Sequence, residues 1–294
     1  MRFEFTSGET RLSGLDFGNP GAADMILLHG IRDLAWSMAS IAGEFCEDFH
    51  VVVPDLRGHG DSDNVGLYTM NHFIADLRAL IQQRQLNNPI LIAHSLGGHI
   101  AGQYTALYGE DIRALVLIDG MGPPHDEMEP AEEQAMIRQR IESLAQRAPG
   151  PRVMKDVAEA QERLLRNNPR LDSAMGRLLA EQGTLNHPEA GVVWKWDSRA
   201  DQVWNTFSSI ENEARLPWIT CPVLLITAEY SMQYWEQLRA GLKDRQAHHD
   251  AEVERRRKLF ANARHHSISG AGHMIHYDQP EQLNRTLRDF VDRV

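Results

Sequence analysis

Pro89-Ile90-Leu91-Ile92-Ala93-His94-Ser95-Leu96-Gly97-Gly98 decides how this 294-residue chain folds. Residues 89–94 form a short, unbroken apolar run, the pattern of a parallel strand buried on both faces. A helix is predicted over 98–108, so Ser95 falls on the turn between strand and helix. A hydroxyl on so tight a turn stands clear of the backbone. The N–H groups that follow, with the helix N-terminus, point at negative charge developing beside it. Such a turn needs small residues two before and two after the serine, and Ala93 and Gly97 occupy those places. The usual pattern is G-x-S-x-G, so Ala93 is a sterically mild departure. For the pentapeptide alone, a serine that merely caps a helix is the competing reading.

Outward from this turn, residues 25–28, 51–53, 114–118 and 222–227 repeat the pattern. Each apolar run is closed by turn or polar residues: His29-Gly30, Pro54-Asp55, Asp119-Gly120 and Ala228-Glu229. Helical spacing of apolar residues predicts helices over 68–85 and 279–294. Strands alternating with helices predict an α/β fold with a mostly parallel sheet. Residues 2–17 read as an antiparallel hairpin at one edge. Residues 122–217 are rich in Glu, Arg, Gln and Ala and show no strong strand run. Amphipathic helices are predicted there over 132–147 and 153–167, their charged faces solvated. The expected organisation is a core of residues 1–121 and 218–294, interrupted by a helical insertion of 122–217. Residues 244–258 predict an exposed helix with acidic residues early and basic residues late, an order that suits the helix dipole.

Two further stretches lie in the right order to join Ser95. His29-Gly30-Ile31 follows the first central run, where the Ile31 N–H can act as an oxyanion donor beside the Leu96 N–H; His29 itself reads as structural. Gly270-Ala271-Gly272-His273 follows a strand predicted over 264–269. An imidazole after such a glycine-rich loop can reach over the sheet edge, take the serine proton and return it to a leaving group. His276 competes with His273, which is the preferred base.

Composition narrows the partners. A net charge of −11 repels phosphate backbones and anionic lipid, which argues against nucleic acid. No apolar run approaches the roughly 20 residues that span a bilayer. With no secretory h-region after the first residues, a cytoplasmic location is expected. Cys46 and Cys221 make no disulfide framework. Histidine spacing matches no zinc motif, so neither metal nor cofactor is expected. The expected partner is a small-molecule substrate, and nothing in the pattern fixes the oligomeric state.

His29-Gly30, Pro54-Asp55-Leu56-Arg57-Gly58-His59-Gly60-Asp61-Ser62, His94-Ser95-Leu96-Gly97-Gly98 and Gly272-His273 together resemble the α/β-hydrolase superfamily. The 54–62 segment resembles the branch that holds haloalkane dehalogenases, epoxide hydrolases, esterases and C–C hydrolases, where it is loop scaffold. Ile118-Asp119-Gly120-Met121-Gly122-Pro123-Pro124, Asn168-Pro169-Arg170-Leu171 and Trp194-Lys195-Trp196-Asp197 are similar to serine hydrolase-like proteins. The resemblance implies an α/β-hydrolase fold with a helical cap. It also implies a triad acid after the strand at 222–227, where Ser231 stands and cannot carry the charge. The acid is therefore open between Asp119, Glu229 and no conventional acid, with Asp119 preferred. A serine nucleophile disfavours the carboxylate chemistry of dehalogenases and epoxide hydrolases and favours acyl transfer. The expected activity is hydrolysis of a small-to-medium carboxylic ester. A C–C bond hydrolase of the vinylogous-diketone type and a ligand-binding protein with little turnover are the alternatives. Met121, Trp194, Trp196, Trp204 and Phe207 are candidates for an apolar pocket, and Arg32 and Asp33 either face its mouth or pair with each other.

Overall fold

The computed structural model describes residues 1–122, 129–146, 150–188, 190–238 and 246–294. The strands are β1 (Arg2–Ser7), β2 (Thr10–Asp16), β3 (Ala23–Leu28), β4 (Phe49–Pro54), β5 (Ile90–His94), β6 (Ala114–Ile118), β7 (Thr184–Asn186), β8 (Val192–Trp194), β9 (Val223–Tyr230) and β10 (Ala263–Gly272). The helices are α1 (Ala39–Phe45), α2 (Met70–Gln83), α3 (Leu96–Tyr108), α4 (Pro130–Ala145), α5 (Val157–Asn167), α6 (Ser173–Gly183), α7 (Ser209–Ala214), α8 (Met232–Leu238), α9 (Gln246–Arg257), α10 (Ile275–Asp278) and α11 (Pro280–Val291).

Eight strands form one sheet in the order β1-β2-β4-β3-β5-β6-β9-β10. The β1–β2 and β2–β4 pairs are antiparallel, and every pair from β4 to β10 is parallel. β5 and β6 are buried at every position, which is why they read as unbroken apolar runs. Alternate side chains go to opposite faces. Leu91 and Ala93 pack with Phe73 and Leu77 of α2 and Ile100 of α3. Ile90 and Ile92 pack with Phe45 of α1 and Leu283, Leu287 and Phe290 of α11. Helices thus cover both faces. β3 lies between β4 and β5, so the chain leaves it first to one side and then to the other. Open α/β sheets bind ligands at the carboxyl ends of their strands, at such a switch point.

The chain between β6 and β9 carries α4 to α7 and also a small antiparallel pair, β7 with β8. The sequence reading foresaw no strand there; at three residues each, these strands are too short to show a period. Leu171 and Leu179 of this segment pack with Leu34, after β3, and Tyr277 of α10. Lys195 Nζ lies 2.7 Å from Asp61, and Tyr68 donates its hydroxyl to Asp197 at 2.7 Å. These contacts seat the segment on loops at the carboxyl ends of the strands. α9 differs from the exposed helix expected: His249, Val253 and Arg256 are buried, and Arg256 Nη1 donates to the Met121 carbonyl at 3.0 Å. Pro123, Pro124 and the predicted helix ends at 147 and 244 lie outside the described residues. Among the described residues no helix is long and apolar enough to cross a membrane.

Candidate active site

Ser95 sits at φ 51° and ψ −117°, a backbone conformation that costs about 1–3 kcal/mol for a residue with a side chain. Two main-chain bonds hold it there: Ser95 N–H to Ile118 O at 3.0 Å and His99 N–H to Ser95 O at 3.2 Å. The start of α3 is pressed against its neighbours. A methyl group on Gly97 would lie 2.6 Å from Leu28 O, and one on Gly98 would lie 2.7 Å from the Gly120 Cα. The two glycines therefore let the helix N-terminus approach the ends of β3 and β6, with Ser95 at the apex.

His273 closes on this serine from the loop after β10. Its Nε2 is 3.0 Å from Ser95 Oγ, and its Nδ1 is 2.6 Å from Asp119 Oδ2. Ser95, Asp119 and His273 are all buried. Asp119 ends β6 in the left-handed region, at φ 44°, anchored by its N–H to Ile226 O at 2.7 Å. Ser231, wholly buried after β9, donates its hydroxyl to Asp119 Oδ1 at 2.8 Å and accepts the Ala228 N–H at 3.0 Å. Asp119 thus has both oxygens engaged. Glu229 is not part of this group; its Oε2 accepts the Gly270 N–H at 2.8 Å near the surface. The sequence reading saw Ser231 only as a missing acid. The signal that could have found its role is that Asp119 and Ser231 follow adjacent strands, β6 and β9. His276 turns to the other side of the loop, with its ring against His94 and Tyr277.

The loop after β3 runs beside the serine: a methyl group on Gly30 would lie 3.2 Å from Ser95 Cβ. Residues 54–62 tie that loop down. Leu56 N–H donates to His29 Nε2 and Arg32 N–H to His59 Nε2, each at 3.0 Å, and Ala35 N–H donates to Asp55 Oδ1 at 2.8 Å. Burial pushes His59 down to about 4, so its ring is neutral and free to accept. Among the described residues, neither the Ile31 nor the Leu96 N–H donates to a protein acceptor. Arg32 pairs with Asp201 of the inserted segment rather than with Asp33. Asp33 turns inward, its Oδ1 accepting the Leu34 N–H at 2.9 Å and the Tyr277 hydroxyl at 3.0 Å.

Aromatic rings surround the histidine. Tyr234 of α8 stacks on His273 at 4.3 Å between centroids and 20° between planes, and Trp235 meets its edge at 5.7 Å. Neither residue was singled out from the sequence, because only the fold lays α8 on the imidazole. Trp204 and Phe207 pack edge-on against His99, at 5.5 and 4.8 Å; Met121 borders the same core. Trp194 stacks on Trp196 at 4.9 Å and packs on Met154 and Val192, so it belongs to the interior of the inserted segment.

A strained serine at a strand-to-helix turn, a histidine and a carboxylate in line, on a parallel sheet with this strand order, define a hydrolase class. The chain belongs to the alpha/beta hydrolase family, whose model matches residues 25–286. It is 26% identical over 284 residues to the "Serine hydrolase-like protein" of Mus musculus, covering 94% of this chain and 90% of that one. It is 23% identical over 269 residues to "Esterase YbfF" of Escherichia coli (strain K12), covering 91% and 92%. In fold it matches the solved "Thioesterase Domain From Curacin Biosynthetic Pathway", with a TM-score of 0.82 at 22% identity and coverage of 98% and 99%. The protein is a serine hydrolase of the α/β fold.

Proposed function

We propose that the protein is a carboxylic-ester hydrolase that acts on a small-to-medium, largely apolar ester through an acyl-Ser95 intermediate. The 3.0 Å contact between Ser95 Oγ and His273 Nε2 carries this reading. In the proposed sequence Ser95 Oγ attacks the ester carbonyl carbon while His273 Nε2 takes the hydroxyl proton. Asp119 holds the Nδ1–H and stabilises the imidazolium. The Ile31 and Leu96 N–H groups receive the oxyanion. Collapse of the tetrahedral intermediate breaks the bond to the alcohol oxygen, which leaves with the proton from His273. A water molecule then gives its proton to His273 and attacks the acyl carbon. The second collapse frees the carboxylic acid and returns the proton to Ser95.

Residues 122–217 act in this proposal as a cap over a core of 1–121 and 218–294. Its seat on the loops at the strand ends supports that role. The printed name of the bacterial relative, an esterase, supports the ester class.

The test is a panel of short-chain aryl esters, thioesters and lactones, with a vinylogous diketone beside them. Aryl-ester turnover by the wild type, reduced about 10⁶-fold in kcat by Ser95→Ala, is the expected result. Fast cleavage of the diketone with slow ester turnover would move the assignment to C–C hydrolysis. No turnover of any member would point to a binding protein.

A further inference from the structure

Behind His273, three side chains from distant parts of the chain converge: Asp33 after β3, His94 at the end of β5 and His276 in α10. They are only 6%, 1% and 3% exposed. One ligand-type atom from each lies within 4.8 Å of the others, and His276 Nε2 is 3.7 Å from Asp33 Oδ2. Among the described residues, Asp33 Oδ2, His94 Nδ1 and both ring nitrogens of His276 have no hydrogen-bond partner. A buried polar atom left unpaired costs about 1–3 kcal/mol. Four of them in one place require a common explanation.

The hydrogen bonds that do exist say what is missing. His94 Nε2 lies 3.0 Å from the His273 carbonyl. A carbonyl only accepts, so Nε2 carries the hydrogen and Nδ1 presents a lone pair. Asp33 Oδ1 is occupied by the Leu34 N–H and the Tyr277 hydroxyl, which leaves Oδ2, 3.7 Å from His276 Nε2, without a hydrogen bond. An imidazole keeps at least one N–H, so one nitrogen of His276 is a donor, while Asp33 Oδ2 and His94 Nδ1 present lone pairs that a cation could take.

We infer that Asp33, His94 and His276 form a binding site for one divalent transition-metal ion of the zinc class. Two imidazoles and one carboxylate are a donor set that suits such an ion. The outer contacts are those that orient metal ligands: the His94 N–H on a main-chain carbonyl, and Asp33 fixed by an N–H and a hydroxyl. Ligand bonds of about 2.0–2.2 Å place two ligands of a tetrahedral centre about 3.3 Å apart. From 4.8 Å the donor atoms need to close by at most roughly 1.5 Å on binding. The ion would clamp together the loop that carries Ile31, the strand end that carries Ser95 and, through the His94–His273 bond, the loop of His273. Positions 33, 94 and 276 match no linear motif, which is why histidine spacing alone argued against a metal.

The experiment titrates the chelator-treated chain with Zn(II) and with Co(II), on the folded protein and on refolding with the ion present. Calorimetry gives stoichiometry, visible absorption reports tetrahedral Co(II), and thermal melting reports the clamp. One ion per chain, visible Co(II) bands and a higher Tm with Zn(II) are expected. His276→Gln should weaken binding at least tenfold, with Asp33→Asn as the second variant should the first not fold. His273→Ala should still bind one ion. No one-to-one binding by the wild type overturns the proposal. So does binding that His273→Ala abolishes and His276→Gln spares.

Discussion

At the carboxyl ends of the central strands, two buried groups stand side by side, Ser95–His273–Asp119–Ser231 and Asp33–His94–His276. Both contain histidine and aspartate, and both are shielded from solvent. In the first, the bonds all lead to Asp119, from Ser95 through His273 on one side and from Ser231 on the other. Ser231 donates to Asp119, His273 Nδ1 faces the other oxygen of Asp119, and His273 Nε2 faces the Ser95 hydroxyl. In the second, Asp33 Oδ2, His94 Nδ1 and both nitrogens of His276 meet with no hydrogen bond among them. The difference teaches that burial and residue type do not decide what a histidine–carboxylate group does. The two proposals differ in how the polar atoms are paired: bonds leading from the Ser95 hydroxyl through the imidazole to a carboxylate suit proton transfer, and unpaired ligand atoms side by side suit a cation.

The sharpest way to break the comparison is at Asp119. Asn there leaves the shape but sets the wrong imidazole tautomer, so Asp119→Asn should cost about 10⁴-fold in kcat, measured on an aryl ester. A loss below about tenfold would deny Asp119 its part in the first group. Ser231→Ala removes one hydrogen bond to a carboxylate, an interaction worth about 1.5–3 kcal/mol. The expected loss is about tenfold in kcat with KM unchanged, restored by Ser231→Thr. Glu229→Gln, near the surface and still able to accept from Gly270, should change kcat by less than about twofold.

The parts legible in the sequence were those with a local cause. β5 and β6 showed because burial on both faces leaves an unbroken apolar run. Ser95 showed because it stands between an apolar strand and a helix with Ala93 and Gly97 at the small positions, and Gly97 must be small where α3 meets Leu28. The choice between Asp119 and Glu229 was not local. It depends on which carboxylate, at the ends of two adjacent parallel strands, turns toward the imidazole. The role of Ser231 and the stacking of Tyr234 on His273 depend on the same packing. The β7–β8 pair stayed hidden because three residues carry no period. Asp33, His94 and His276 stayed hidden because only the sheet brings three separate loops to one point.

The most direct measurement is covalent labelling with a fluorophosphonate, with the modified residue mapped by mass spectrometry in the wild type and in His273→Ala. Stoichiometric label on Ser95 in the wild type, slowed at least 100-fold without the imidazole, is the predicted result. An unlabelled Ser95, or labelling at the same rate in both proteins, would contradict an activated serine at the head of the Ser95–His273–Asp119 chain.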